Sequence, residues 1–417
     1  MTRTPDYGLP LADWLSLHPD DPEHARFADV ADYLGNAGLT GPECPHVMLT
    51  DIHADPEAFL RSLALAGVIS HPAVDAPLTT FGRKAKVVLG GDYLNKGPAN
   101  LELLKVLRAF HAAHGNTVVL GGNNDLLVLM GLAYAGRKGT ATTQHMFIRM
   151  AEKAMPLLRE VFDTFVHGDP DVTYMAEDAA KDWLLPAKNW QETFPAVASR
   201  IMSADQVDHE RKRLPKTLKG YEDARNKAGL THAQVQAAVV KAQRLANTPT
   251  SDLGWLFSSL RLLYQAGSYL FVHAGVDDTL ALRLQTSGVD GVNALFDRLV
   301  QQHDLALYYG SVGNAFRTRY HPKKNRLLSP EGVEAIHATG VKAVVHGHRG
   351  TKKGQRLVWR CGLLHVEGDT TMDSTSRKVD NLVGAGQGAL HLETDGRLVA
   401  VAADWHQAKV FAPHVKA

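Results

Sequence analysis

Six polar residues stand where apolar runs of this chain stop. "HVMLTDIHAD" (46–55) supplies Asp51 and His53, and "KVVLGGDYLNKGP" (86–98) supplies Asp92. "TVVLGGNND" (117–125) supplies Asn123, "SYLFVHAGV" (268–276) supplies His273, and "KAVVHGHRG" (342–350) supplies His348. Carboxylate oxygens combined with imidazole nitrogens suit manganese, iron or zinc. Six ligands are too many for one open catalytic metal and about right for two metals sharing a carboxylate. Two metals about 3.5–4 Å apart lower the pKa of a water between them and stabilise charge on phosphoryl oxygens. Taken singly, each residue has an ordinary explanation: a lone histidine at a strand end is usually a hydrogen-bonded core histidine, and an Asp after Gly-Gly usually makes a turn or a helix cap. Five strand ends carrying such groups in succession are much harder to explain that way.

The elements that must position these residues are legible in the hydrophobic pattern. Each of the five segments reads as a buried strand with polar groups at its C-terminal end. Amphipathic helices follow the first three, in "PEAFLRSLALAG", "ANLELLKVLRAFHAA" and "LLVLMGLAYAG". This alternation predicts an α/β fold with a largely parallel sheet, in which ligands bind beyond the carboxyl ends of the strands. Asp51 and His53 lie two apart, so on a strand they point to the same side, and the same spacing aligns His346 with His348. From roughly 130 to 265 the pattern turns helical: "FIRMAEKAMPLLREVFDTF" puts Phe147, Met150, Ala154, Leu157, Leu158, Val161, Phe162 and Phe165 at helical spacing. This predicts a helical insertion, or cap, within a single 1–417 domain. Beyond 350, "QRLVWRCG", "LLHVEGD", "GALHLETDG" and "RLVAVAADW" read as antiparallel strands of a second sheet. "DNLVGAGQG" reads as a plain turn.

Bulk properties narrow the function. The 417 residues carry a formal net charge of +1 and are 45% hydrophobic, which gives no global case for a nucleic-acid or membrane-surface protein. Arg211 to Lys227 holds seven Lys/Arg, read first as a solvated face and second as a basic lid over an anionic substrate. The only cysteines, Cys44 and Cys361, make no disulfide framework, and the opening "MTRTPDYGLPLADWLS" lacks the apolar run of a signal peptide, so a reducing, cytoplasmic setting is expected. No stretch approaches the roughly 18 apolar residues of a membrane span.

In order, "DIH", "GDYLNKG", "GNND", "VHAG" and "HGH" resemble the pattern of the calcineurin-like metallophosphoesterases. Within them the chain is most similar to bacterial relatives of Ser/Thr phosphoprotein phosphatases and of symmetrical diadenosine tetraphosphate hydrolases. The resemblance covers roughly 46–136 and 266–370. It implies a double-sheet sandwich flanked by helices and a pair of divalent metals, manganese first, with iron, zinc, nickel or magnesium as alternatives. It implies Asp51 and His53 on the first metal, Asp92 bridging, and Asn123, His273 and His348 completing the second. The implied reaction is hydrolysis of a phosphomonoester or phosphoanhydride by a dimetal-activated hydroxide. The substrate would be a phosphorylated small molecule, a nucleotide or a phosphoprotein; nucleic acid is disfavoured. His365 and Asp369 are expected to be structural.

The chain departs from that pattern at the expected acid. Asn124 stands where the resemblance expects histidine, Asn95 where it expects the Asp that orients it, and Lys96 where it expects Arg. An amide can donate a hydrogen bond but supplies no proton near neutral pH, and losing a general acid costs on the order of 10²–10⁴ in rate. The substrate then has a good leaving group, or another acid such as His346 acts, or the protein binds metal and phosphate with slow turnover. Lys96, Arg317 and Arg319 are the candidates for holding phosphate. Three further readings stay open: a dinucleoside polyphosphate hydrolase, a nucleic-acid phosphodiesterase, and a non-catalytic metal- and phosphate-binding homologue.

Overall fold

A computed structural model describes residues 11–13, 38–318, 328–350, 354–360 and 362–411. The chain divides into two compact units, one formed by Met1–Tyr93, Val106–Asn123 and Leu260–Ala417, the other by Leu94–Lys105 and Asn124–Ser259.

The described strands all belong to the first unit: β1 (Leu11–Asp13), β2 (His46–Leu49), β3 (Lys86–Leu89), β4 (Thr117–Leu120), β5 (Leu260–Arg261), β6 (Leu263–Ala266), β7 (Tyr269–Val272), β8 (Ala343–His346), β9 (Arg356–Arg360), β10 (Leu363–Glu367), β11 (Gly388–Leu392), β12 (Leu398–Ala402) and β13 (Ala408–Phe411). They form two mixed sheets, ordered β1-β13-β12-β11-β2-β3-β4-β5 and β6-β7-β8-β10-β9. Strands β2 to β5 are mutually parallel, as are β7, β8 and β10. Met48, Val88 and Leu120 of one sheet share a buried cluster with Phe271, Val345 and Leu364 of the other, so the sheets form a sandwich. Val47, Leu49, Val87 and Leu89 are also fully buried but lie outside that cluster, on the opposite face. Strands buried on both faces read as continuous apolar runs, which is why "VML" and "VVL" carry no alternation.

Two sequence expectations change here. The sheet holding β2, β3 and β4 is parallel over only half its width, because β11, β12 and β13 add an antiparallel half beside β2. The C-terminal strands therefore divide: β9 and β10 join the second sheet, with β10 parallel to β8, while β11 to β13 join the first. Alternation along a strand fixes its faces but leaves its neighbour open, and the neighbours here are remote in sequence: Leu390 pairs with Met48.

The second unit is helical in its described residues. Helix Met146–Phe165 buries Phe147, Met150, Leu157, Leu158 and Phe162 along one stripe and packs against helices Ala204–Lys227 and His232–Ala246. Both partners start on capping boxes, at Ser203/Gln206 and Thr231/Gln234. Arg149 and Glu210 form a buried ion pair, 3.0 Å apart, between helices Met146–Phe165 and Ala204–Lys227. The basic stretch 211–227 lies on helix Ala204–Lys227, where Lys212 pairs with Asp208 and Lys219 with Asp223 one turn along the exposed surface. Among the described residues, no helix is long and apolar enough to cross a membrane.

Candidate metal centre

The candidate ligands lie just past the strand ends. β2 stops at Leu49, yet its link to the next strand continues, with N–H groups of Asp51, His53 and Ala54 donating to the carbonyls of Gly91, Asp92 and Tyr93. These bonds hold Asp51 and His53 against Asp92. The backbone there is left-handed, with φ of 57° at Asp51, 49° at His53, 57° at Asp92 and 67° at His348. Non-glycine residues in this region cost about 1–3 kcal/mol each and gather at functional sites. Asp55 then starts helix Pro56–Leu65, its carboxylate accepting from the Ala58 N–H with Pro56 behind it.

Two glycines are required by close approach. A Cβ on Gly122 would lie 2.3 Å from Asp92 Oδ1, and one on Gly347 would lie 2.2 Å from Asp51 Oδ2. The glycines at these strand ends bring carboxylates from one segment against the backbone of another.

The side chains fall into two overlapping groups, Asp51–His53–Asp92 and Asp92–His273–His348, each with ligand atoms within 4.8 Å of one another. Asp92 belongs to both. His53 Nε2 is 3.7 Å from Asp51 Oδ1 and 3.7 Å from Asp92 Oδ2, and His273 Nε2 is 3.5 Å from Asp92 Oδ1. Those separations exceed a hydrogen bond. They match the roughly 3.4 Å edge of a tetrahedron of ligands about 2.1 Å from its centre. Asn123, which opens helix Asn123–Tyr134, brings its Oδ1 within 3.4 Å of His273 Nε2. His273 Nδ1 sits 2.8 Å from the Gly90 carbonyl. Donation there places the proton on Nδ1 and leaves Nε2 as the ligating nitrogen. Asp51, His53, Asp92 and His273 are buried, and His348 is partly exposed. Carboxylate and imidazole donors gathered at this spacing fit divalent metals.

The other expected residues have different surroundings. His346 ends β8; its Nδ1 is 3.0 Å from the Gly347 carbonyl and its Nε2 is 3.3 Å from His365. The spacing rule that aligned it with His348 does not reach past the strand, because His348 is already left-handed. Burial pushes His346 down to about 4 and His365 well below the usual histidine range. Glu367, beside them on β10, is held near 2: burial alone would raise it, and Arg360, His346, Arg349 and Arg356 together more than offset that. Asp369 accepts from the Thr371 N–H.

Arg317 stacks over the Tyr308 ring, 4.3 Å from its centroid, and donates to the Gly313 and Tyr308 carbonyls. Arg319 and Cys361 lie outside the described residues. Asn95, Lys96 and Asn124 fall in the second unit. There the Asn95 N–H donates to Asn100 Oδ1, whose own amide donates to Glu160, and the Leu94 N–H donates to Asp125, next to Asn124. Asn95 and Asn124 are buried, and Lys96 is exposed. Asn95 and Lys96 also have left-handed backbones, with φ of 72° and 64°. Thr50 is a residue that sequence reasoning passed over; a hydroxyl immediately before "DIH" was its one signal.

A mixed α/β sandwich with overlapping Asp/His clusters at its strand ends defines a candidate metal-binding protein. No protein-family profile and no curated sequence matches the chain. Among solved structures it is similar to a cold-active protein-tyrosine phosphatase of the psychrophile Shewanella sp., with a TM-score of 0.47 and 15% identity over 88% of this chain and 80% of that one. A serine/threonine phosphatase from Saccharomyces cerevisiae gives 0.34 and 11%, covering 92% and 86%. A metallophosphoesterase from Sphaerobacter thermophilus gives 0.30 and 10%, covering 86% and 88%. At these values none of the three fixes the role of a residue in this chain.

Proposed function

We propose that this protein is a metal-dependent phosphohydrolase whose substrate is a phosphoanhydride, or a phosphoester with an easily departing leaving group. The observation that carries the reading is the pair of Asp/His clusters joined through Asp92, with members 3.5–3.7 Å apart. Asp51 and His53 would hold one divalent metal, His273, His348 and Asn123 the other, and Asp92 would serve both. Bound divalent metals supply Lewis acidity toward phosphoryl oxygens and acidify water. The chain's own part is to hold these groups in place: left-handed turns fix Asp51, His53, Asp92 and His348, and the Gly90 carbonyl fixes the His273 tautomer. Manganese is the first metal to try.

By the metallophosphoesterase resemblance, Asn124 and Asn95 stand where an acid and the Asp that orients it are expected. An amide cannot protonate a departing oxygen, which supports this choice of leaving group. His346 is a poor substitute, being neutral near pH 7 with both ring nitrogens beside other partners.

The test is hydrolysis of p-nitrophenyl phosphate with added manganese, comparing wild type with Asp92→Asn. The p-nitrophenolate needs almost no protonation, so the assay bypasses the missing acid. Turnover in the wild type that Asp92→Asn abolishes is the expected result. A wild type that binds manganese and shows no turnover would replace the enzyme with a metal-binding protein on the same scaffold.

A further inference from the structure

We infer that Thr50 is a positioning residue for the metal centre, its buried hydroxyl deciding which oxygen of Asp51 is offered as a ligand; this rests on the two-metal reading above. Thr50 is 1% exposed, and its Oγ1 donates to Asp51 Oδ2 at 2.7 Å. The same Asp51 oxygen accepts the backbone N–H of His348 at 2.8 Å. Oδ2 therefore takes two donors, one from the end of β2 and one from beyond the end of β8, in the other sheet. Oδ1 is the oxygen on the His53 side, 3.7 Å from Nε2. A carboxylate held this way is fixed in rotation, so its ligand geometry is set before any metal arrives.

The surroundings leave the hydroxyl little room to do otherwise. A Cβ on Gly347 would fall 2.1 Å from Thr50 Oγ1, and one on Gly90 would fall 2.6 Å from Thr50 Cβ. Thr50 is thus enclosed by glycines from both sheets, and its hydroxyl is 3.2 Å from the Gly90 carbonyl. That carbonyl is the one that sets the His273 tautomer. One small side chain accordingly touches the supports of both ligand groups. Loss of such an outer partner typically weakens metal binding 10–100-fold.

The experiment is titration calorimetry of manganese chloride into metal-free wild type, Thr50→Val and Thr50→Ser, with thermal melts of the metal-free proteins as the folding control. Thr50→Val should bind about 10–100-fold more weakly, while Thr50→Ser, which keeps the hydroxyl, should stay close to wild type. A role confined to packing would shift the melt and leave manganese affinity unchanged. Wild-type affinity in Thr50→Val, or equal weakening in Thr50→Ser and Thr50→Val, overturns the assignment of Thr50 alone. A wild type that takes up no manganese overturns the two-metal reading, and Thr50 with it. Should Thr50→Val fail to fold, the comparison becomes Thr50→Ser against Thr50→Ala, where tighter binding by Ser supports the role and equal binding overturns it.

Discussion

Both units of this protein bring acidic and basic side chains together, and they do so with different geometry. In the helical unit, Arg149 and Glu210 meet at 3.0 Å, and His232 is 2.7 Å from Glu177 and 3.0 Å from Glu222. These groups satisfy one another. At the strand ends of the first unit, His53 Nε2 lies 3.7 Å from Asp51 Oδ1 and from Asp92 Oδ2, His273 Nε2 lies 3.5 Å from Asp92 Oδ1, and Asp51, His53 and Asp92 sit on left-handed backbone. Left-handed backbone there brings carboxylate and imidazole groups from separate segments beside one another. The contrast is between paired charges, where removing one partner leaves the other uncompensated, and polar groups gathered on strained backbone, a conformation that clusters at functional sites.

Breaking each region should therefore give different losses. Asp92→Asn removes the shared carboxylate, and turnover of p-nitrophenyl phosphate should fall to the level of the blank while the melting temperature of the metal-free protein stays at or above that of wild type. Glu210→Ala should do the reverse. It leaves Arg149 buried without this carboxylate and should cost about 3–5 kcal/mol in denaturant unfolding, with the manganese affinity of the folded fraction unchanged. Replacing both members by apolar residues of similar volume should recover most of that loss.

Glu367 sharpens the comparison through pH. Its folded value, near 2, lies below its ordinary 4.5, so the stability it contributes is present above about pH 4.5 and lost as pH falls towards 2. Thermal melts from pH 7 to pH 2 should show Glu367→Gln less stable at neutral pH and losing less on acidification than wild type. Parallel curves for the two proteins would contradict the ionic account of this cluster. The smallest effect belongs to the exposed Lys212–Asp208 pair: Lys212→Ala should cost at most about 0.5 kcal/mol and leave manganese binding intact.

The six candidate ligands were legible because residue type and place coincide: a carboxylate, amide or imidazole closes each apolar run. Helix Met146–Phe165 was legible from its 3.6-residue period, which put Phe147, Met150, Leu157, Leu158 and Phe162 on one buried stripe. What the sequence hides is nonlocal or conformational. The pairing of Leu390 with Met48 depends on which edge is open when the strand arrives, and alternation is the same for either sheet. The left-handed turns at Asp51, His53, Asp92 and His348 carry only a weak local mark: Asp and His are enriched at positive φ, but glycine is the residue that ordinarily signals it. The strand rule reaches only to the end of β8, so it does not describe the backbone between His346 and the left-handed His348. Arg317, a candidate for holding phosphate, lies over the Tyr308 ring, a neighbour that sequence spacing does not reveal.

The most direct test counts metal. Equilibrium dialysis against manganese should find two ions per wild-type chain and fewer than two per Asp92→Asn chain, because that carboxylate belongs to both groups. Two ions retained by folded Asp92→Asn, or none bound by wild type, would contradict a centre built around a shared Asp92.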